Sequence, residues 1–141
     1  MTPQDQTLLA LVLWREARGE LYLTKQAVAW SIRNRVKHPS WWGHTWWSVI
    51  LFPWQYSSFN HNDPNAVKWP VEDDPTWEDC LEIASMIGAE PPKVGDMTGG
   101  AVSYFDISLD THPPTWATDG SMTKTLDSGR LHFYKVNAES A

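Results

Sequence analysis

Apolar residues recur at helical spacing from the first turn of the chain onward. Leu8, Leu9, Val12 and Leu13 mark one face of a segment that Thr2, Pro3 and Asp5 open and Gly19 closes. Thr2 supplies a cap, Pro3 fills a first helical position that needs no amide donor, and Asp5 sits near the free amides. Thr24 is the candidate cap of a second helix, with Leu23 and Val28 at hydrophobic-staple spacing. Val28, Ile32 and Val36 form its stripe, Ala29 thickens it, and Pro39 prevents continuation. Asn34 lies on this helix, and period alone assigns it no face. Residues 45–51 predict a short helix in an otherwise loop-rich stretch. Asp74-Pro75 opens a further helix with Trp77, Leu81, Ala84 and Ile87 on its apolar side, closed by Gly88 and Pro91-Pro92.

The pattern changes after Asp96. Following Gly99-Gly100, AVSYFDI has the aromatic and β-branched content of a strand, and RLHFYKV alternates as its partner. The intervening DTHPPTWATDGSMTKTLDSG reads as a long turn-rich connection. These elements predict an α+β fold, a mainly helical domain with a small late antiparallel sheet, over residues 1–141 as a single unit. A chain of this length buries a core without staples.

Composition narrows the partners. Among the 141 residues the net charge is −6, which argues against an extended nucleic-acid grip. The basic residues concentrate in 15–37 and the acidic ones in 63–96, so a local cationic patch can still meet an anionic polymer. No run of 18 apolar residues exists, so no membrane span is expected. The start lacks a basic n-region and cleavage site, so synthesis in the cytoplasm is expected, with release by lysis or a partner where the target lies outside. Cys80, the single cysteine, excludes an internal disulfide and reads as a buried thiol. A monomer is expected.

Candidate chemistry centres on Glu16. It lies four residues past Val12 and three past Leu13, so it shares the inward face of the first helix, near the unfavourable end of the dipole. Both effects raise a carboxyl pKa, and Arg15 or Arg18 would lower it again if close. Glu20, beyond Gly19, is a candidate second carboxylate or holder of a positioned water. A lone glutamic acid can protonate a glycosidic oxygen and then, as base, activate the attacking nucleophile, either water or the sugar's own 6-hydroxyl. Asp63, Asp106 and Asp110 are further carboxylates that folding could bring near.

Ten tryptophans exceed the needs of a small core, and Trp41, Trp42, Trp46, Trp47 and Trp54 crowd one turn-rich region suited to a cleft wall. The five histidines form no HExxH. Combinations such as His61 with Asp63, or Asp106 and Asp110 with His112, are the scattered kind that arise by chance. No metal and no cofactor are therefore expected. A metal-dependent amidase or peptidase and a non-catalytic wall-binding module remain the competing readings.

Several blocks, in order, resemble the SleB/CwlJ-type cell wall hydrolase family, whose members resemble lysozyme-like folds. EARGE at 16–20, AVAWSIRNRV at 27–36 and PWQYSSFNHNDPN at 53–65 carry the likeness early in the chain. GAVSYF at 100–105, PPTWA at 113–117 and LHFYK at 131–135 carry it late. The resemblance implies cleavage of peptidoglycan glycan strands between N-acetylmuramic acid and N-acetylglucosamine, by a lytic transglycosylase or a muramidase, with Glu16 as the catalytic glutamate. It implies that Gln55, Tyr56, Ser57 and Asn60 lie along the cleft and that Tyr104 is the tyrosine of the late motif. That motif usually reads THYH, and here Ser103 and Phe105 stand where it has histidines. A compact phage endolysin is similar in organisation.

Overall fold

A computed structural model describes the chain except for Pro53, Trp54, His61, the side chain of Ser57 and residues 138–141. The expectations for Trp54, for His61 and for the Ser57 side chain therefore fall outside the described residues. Among the described residues four α-helices precede a three-stranded antiparallel sheet, in agreement with the α+β reading.

Helix α1 (Pro3–Ala17) begins as its sequence dictates. Thr2 Oγ1 accepts from the Asp5 amide at 3.1 Å, and the Asp5 carboxylate accepts from the Thr2 amide at 2.9 Å, a closed capping box. Its burial is wider than the single face expected. Every residue from Leu8 to Arg15 is buried, because α1 runs through the middle of the helical layer and meets all three other helices. A helix apolar nearly all round has this position available to it.

Helix α2 (Tyr22–Lys37) starts two residues before the predicted cap. Thr24 is not a cap but a fully buried residue inside the helix, with its hydroxyl 2.8 Å from that of Ser128. A tertiary partner for the hydroxyl has displaced the local one. Val28 and Ile32 are fully buried as predicted, with Val36 partly so. Helix α3 (Trp46–Ile50) carries a Thr45–Ser48 capping box, and α4 (Pro75–Ile87) is capped by Asp74, whose carboxylate accepts from the Thr76 amide. The buried stripe of α4 is Cys80, Ile83, Ala84 and Ile87, while Trp77 and Leu81 flank it half-buried.

Three consecutive polar residues near the end of α2 fasten the rest of the chain to it. Arg33 donates to the carbonyls of Ile87 (2.8 Å) and Ala89 (3.0 Å), satisfying orphan acceptors at the end of α4. Asn34 donates to Asp96 Oδ2 (3.0 Å) and to the Ala101 carbonyl (2.9 Å), which settles its face. Arg35 donates to the Val102 carbonyl. Between these points Gly99 and Gly100 adopt φ of 66° and 92°, a left-handed pair that turns the chain back toward α2 before the sheet.

Strand β1 (Ser103–Asp106) pairs with β3 (Leu131–Val136), Tyr104 opposite Phe133, as the two alternating segments predicted. The connection between them is not all turn. It contains β2 (Met122–Ser128), which pairs with the other edge of β3 and gives the order β1-β3-β2. β2 escaped the sequence reading because most of its residues are polar and none is fully buried, so it carries no apolar alternation. Leu131 and Phe133 face the helical core, while Phe105, His132 and Tyr134 cluster on the opposite face with Trp116.

Candidate active site

Glu16 occupies the last turn of α1, half-buried, on the lining of a cleft of about 1030 Å³ between the helices and the sheet. The end of α2 contributes Arg35, Lys37 and His38 to that cleft, and the following turn adds Trp41 and Trp42. Gln55 and Tyr56 form another part of the wall, Ser103, Tyr104 and Phe105 the sheet side, and Trp116 a further aromatic face. Of the crowded tryptophans, Trp42 and Trp46 are buried while Trp41 and Trp47 are exposed.

Tyr56 and Tyr104 line the same cleft, and the phenols of both feel the Glu16 charge. Burial raises the pKa of each phenol, and the Glu16 charge raises both further, while Arg35 opposes the rise. Both therefore stand as neutral hydrogen-bond donors across the working pH range.

Arg35 holds the site together. Only 5% exposed, it donates from Nε to the Val102 carbonyl (2.5 Å), from Nη1 to Gln55 Oε1 (3.0 Å) and from Nη2 to Ser103 Oγ (3.0 Å). Its guanidinium lies 5.0 Å from the Trp42 ring centre and 5.6 Å from that of Trp41. One planar cation thus spans α2, the Gln55 segment, β1 and the tryptophan turn. The position where the family motif carries its first histidine, Ser103, serves as an acceptor for this arginine. The second, Phe105, stacks on Tyr134 at 5.6 Å and meets Trp116 edge-on at 5.9 Å. Both are filled by framework contacts.

The other candidate carboxylates are engaged elsewhere. Asp63 caps the 3₁₀ turn at Pro64–Val67 through the Asn65 amide. Asp106 pairs with Arg130 at 2.8 Å, and Asp110 accepts from or pairs with His132 Nε2 at 2.8 Å. Glu20 has left the helix and turns toward the β2–β3 hairpin, where its Oε2 lies 3.5 Å from the Arg130 amide. It is not among the residues lining the cleft, and neither is Asn60, which is half-buried after the 3₁₀ turn at Ser57–Phe59. Glu16 is the one carboxylate among the described residues that line it. Among the described residues no group of three His, Cys, Asp or Glu is arranged to hold a metal ion. His112 meets Thr111 rather than Asp106 or Asp110.

This arrangement has known counterparts. The sequence profile described as Cell Wall Hydrolase matches residues 19–134. The chain belongs to the cell wall hydrolase family. This hydrolase is similar to the catalytic domain of the germination-specific lytic transglycosylase SleB from Bacillus anthracis, at 27% identity and a TM-score of 0.69 over 96% of this chain and 97% of that one. It is also similar to the catalytic domain of the Bacillus cereus SleB protein, at 26% identity and a TM-score of 0.65 over 95% and 91% of the two chains. No curated protein matches it. The hydrolase is thus an enzyme of peptidoglycan degradation, and the SleB-like reading of its sequence blocks stands.

Folding therefore gathers Glu16, Gln55, Tyr56 and Tyr104 around one cleft and sends Glu20 and Asn60 elsewhere. Arg35 is the residue that the sequence did not single out for the site. Its only signal was a charge inside a helix whose neighbours pack inward, which is costly unless acceptors are supplied. The expected basic patch resolves likewise. Arg35 and Lys37 border the cleft, whereas Arg15 stacks between Phe59 and Trp69 and Arg18 bonds Asn65.

Proposed function

We propose that this hydrolase cleaves the glycan strand at the β-1,4 bond between N-acetylmuramic acid and N-acetylglucosamine, as a lytic transglycosylase with Glu16 as general acid and then general base. The observation that carries the reading is the solitary position of Glu16 among the described cleft residues. A two-carboxylate glycosidase needs its second group within roughly 5–10 Å of the first. Asp63, Asp106 and Asp110 are occupied as a cap, an arginine partner and a histidine partner.

A single acid suffices if the nucleophile is part of the substrate. Glu16 gives its proton to the glycosidic oxygen, the bond from that oxygen to the anomeric carbon breaks, and positive charge spreads over the muramic ring. The ring's 6-hydroxyl attacks the anomeric carbon, closes a 1,6-anhydro ring and returns its proton to the Glu16 carboxylate. The attack is intramolecular, so no water has to be positioned. Tyr56 and Tyr104 stay protonated beside the acid throughout, and Trp41 and Trp116 offer flat faces to the sugar rings. Gln55, with its amide oxygen held by Arg35, presents its NH2 group to the substrate. The activity named for the Bacillus anthracis neighbour supports the same reading.

Mass spectrometry of the soluble products from purified sacculi tests this. Muropeptides with 1,6-anhydromuramic ends are expected; reducing ends, one water heavier, would replace the transglycosylase with a muramidase. Glu16→Gln is expected to keep the fold and lose at least ~100-fold in rate, and unchanged turnover would remove Glu16 from the chemistry.

A further inference from the structure

Arg35, Lys37 and Lys135 line the Glu16 cleft against one carboxylate, Glu16 itself, among the described residues. The chain as a whole carries a net charge of −6, so the field in the cleft opposes that of the molecule and favours an anionic ligand. Two of these cations are already engaged. Arg35 gives all three of its nitrogens to Val102, Gln55 and Ser103. Lys37 pairs with Glu90, which also holds Arg33 at 3.1 Å. Lys135 differs from both. It is exposed, and its ammonium has no hydrogen-bond or ion-pair partner among the described residues.

The register of the sheet sets where this ammonium stands. Leu131 and Phe133 turn into the core, and the two-residue period of β3 puts Lys135 on the same face, one step past the last core residue. Tyr104 lies opposite Phe133, and the ladder runs on to the Val102 amide, which donates to the Tyr134 carbonyl at 2.8 Å. Lys135 is therefore the diagonal neighbour of Tyr104, a spacing of about 7 Å between β-carbons in an antiparallel pair. The Tyr104 phenol in turn feels the Glu16 charge. On the β2 side the cross-strand partner of Lys135 is Thr123, which is uncharged.

We propose that Lys135 selects glycan strands that carry stem peptides, by pairing with a stem-peptide carboxylate while the muramic ring sits against Glu16. The inference rests on the glycan-cleavage reading and deepens it. The lactyl group of muramic acid is amide-bonded to the peptide, so the free charges lie further along. They are the α-carboxyl of a γ-linked glutamyl residue and the carboxyl at the peptide's end. The anomeric carbon of muramic acid is the reacting centre, so the peptide on that same ring leaves the cleft across its rim. An ammonium on a flexible four-carbon stem suits a carboxylate on a chain that is not itself rigid.

The test compares wild type with Lys135→Gln on soluble glycan strands in three forms: with native stem peptides, with the peptide carboxylates amidated, and with the peptides removed by an amidase. On native strands Lys135→Gln is expected to lose about five- to tenfold in kcat/KM, the weight of a partly screened charge-assisted hydrogen bond. The loss should fall on KM rather than kcat, as for an interaction made equally in ground and transition states. On amidated and on stripped strands the two proteins should converge, and Lys135→Arg should restore the preference for native ones. Strands with isoglutamine in place of the glutamyl residue tell the two carboxylates apart: convergence there assigns the glutamyl carboxyl, and a persisting gap the terminal one. An equal gap on all three forms would show a merely structural role, and no gap on native strands would likewise overturn the proposal. Strand ends are counted whether anhydro or reducing, so product chemistry and the Glu16→Gln result judge the mechanism separately from this preference.

Discussion

Arg35→Met is the substitution that most directly probes how the Glu16 cleft is held. The thioether keeps most of the side-chain volume and removes all three donors. The Val102 carbonyl and Ser103 Oγ, in residues 5% and 6% exposed, would lose the hydrogen bond they accept from Arg35. Each such orphan costs about 1–3 kcal/mol. Gln55 is only half-buried and can turn to water, so it adds little. Loss of the cation over the Trp42 ring adds about 0.5–2 kcal/mol. The sum is about 5 kcal/mol, which in a chain of this size lowers Tm by roughly 10–20 °C. Chemical denaturation of both proteins, followed by tryptophan fluorescence, measures it. Activity should fall further than stability explains, because Gln55 and β1 both lose their anchor. Arg35→Lys should recover little of either, since one ammonium cannot reach three separated acceptors. A loss below about 1 kcal/mol in Arg35→Met would refute the claim that this residue ties the cleft walls.

Two pH effects follow from other titratable groups. Cys80 is raised by burial from 9.0 to about 12, and the Tyr56 and Tyr104 phenols are raised as well. Each binds its proton more tightly folded than unfolded, so its stabilisation is complete below the unfolded pKa and lost as pH rises through the folded one. Denaturant midpoints should hold to about pH 9 and then fall; a flat profile to about pH 12 would contradict the burial of all three. His132, between Asp127 at 2.6 Å and Asp110 at 2.8 Å, is raised above 6.5, first by its bond to Asp127. Its contribution is present below 6.5 and lost as pH rises through the raised value. NMR titration should place its midpoint above that of a free imidazole, and Asp127→Asn should bring it down; a midpoint at or below 6.5 would show the pair is not formed.

What was legible in the sequence was what local physics settles. Thr2 with Asp5, and Asp74 ahead of Pro75, start helices because a side-chain oxygen and a free amide, that of Asp5 or Thr76, lie within one turn of each other. Gly99 and Gly100 turn the chain because they tolerate left-handed φ, and Glu16 stands at the inner end of α1 because helical period places it there. The rest needed partners distant along the chain. Thr24 lies inside α2 against Ser128, 104 residues away, so its capping chemistry is not used. β2 is held by hydrogen bonds to β3, with Met122 and Leu126 packed against the core between polar residues, so its own residues do not announce it. Glu20 and Glu16 are four apart in one motif. They separate because the helix ends between them, one carboxylate turning to the hairpin and the other to the cleft. Arg35 reads as a solvated charge until Val102, Gln55 and Ser103 are brought to it. The sequence by itself determined most of the elements and put Glu16 on the inner face of α1; only the tertiary structure decided which polar groups meet, because a buried charge is tolerable solely where remote acceptors converge on it.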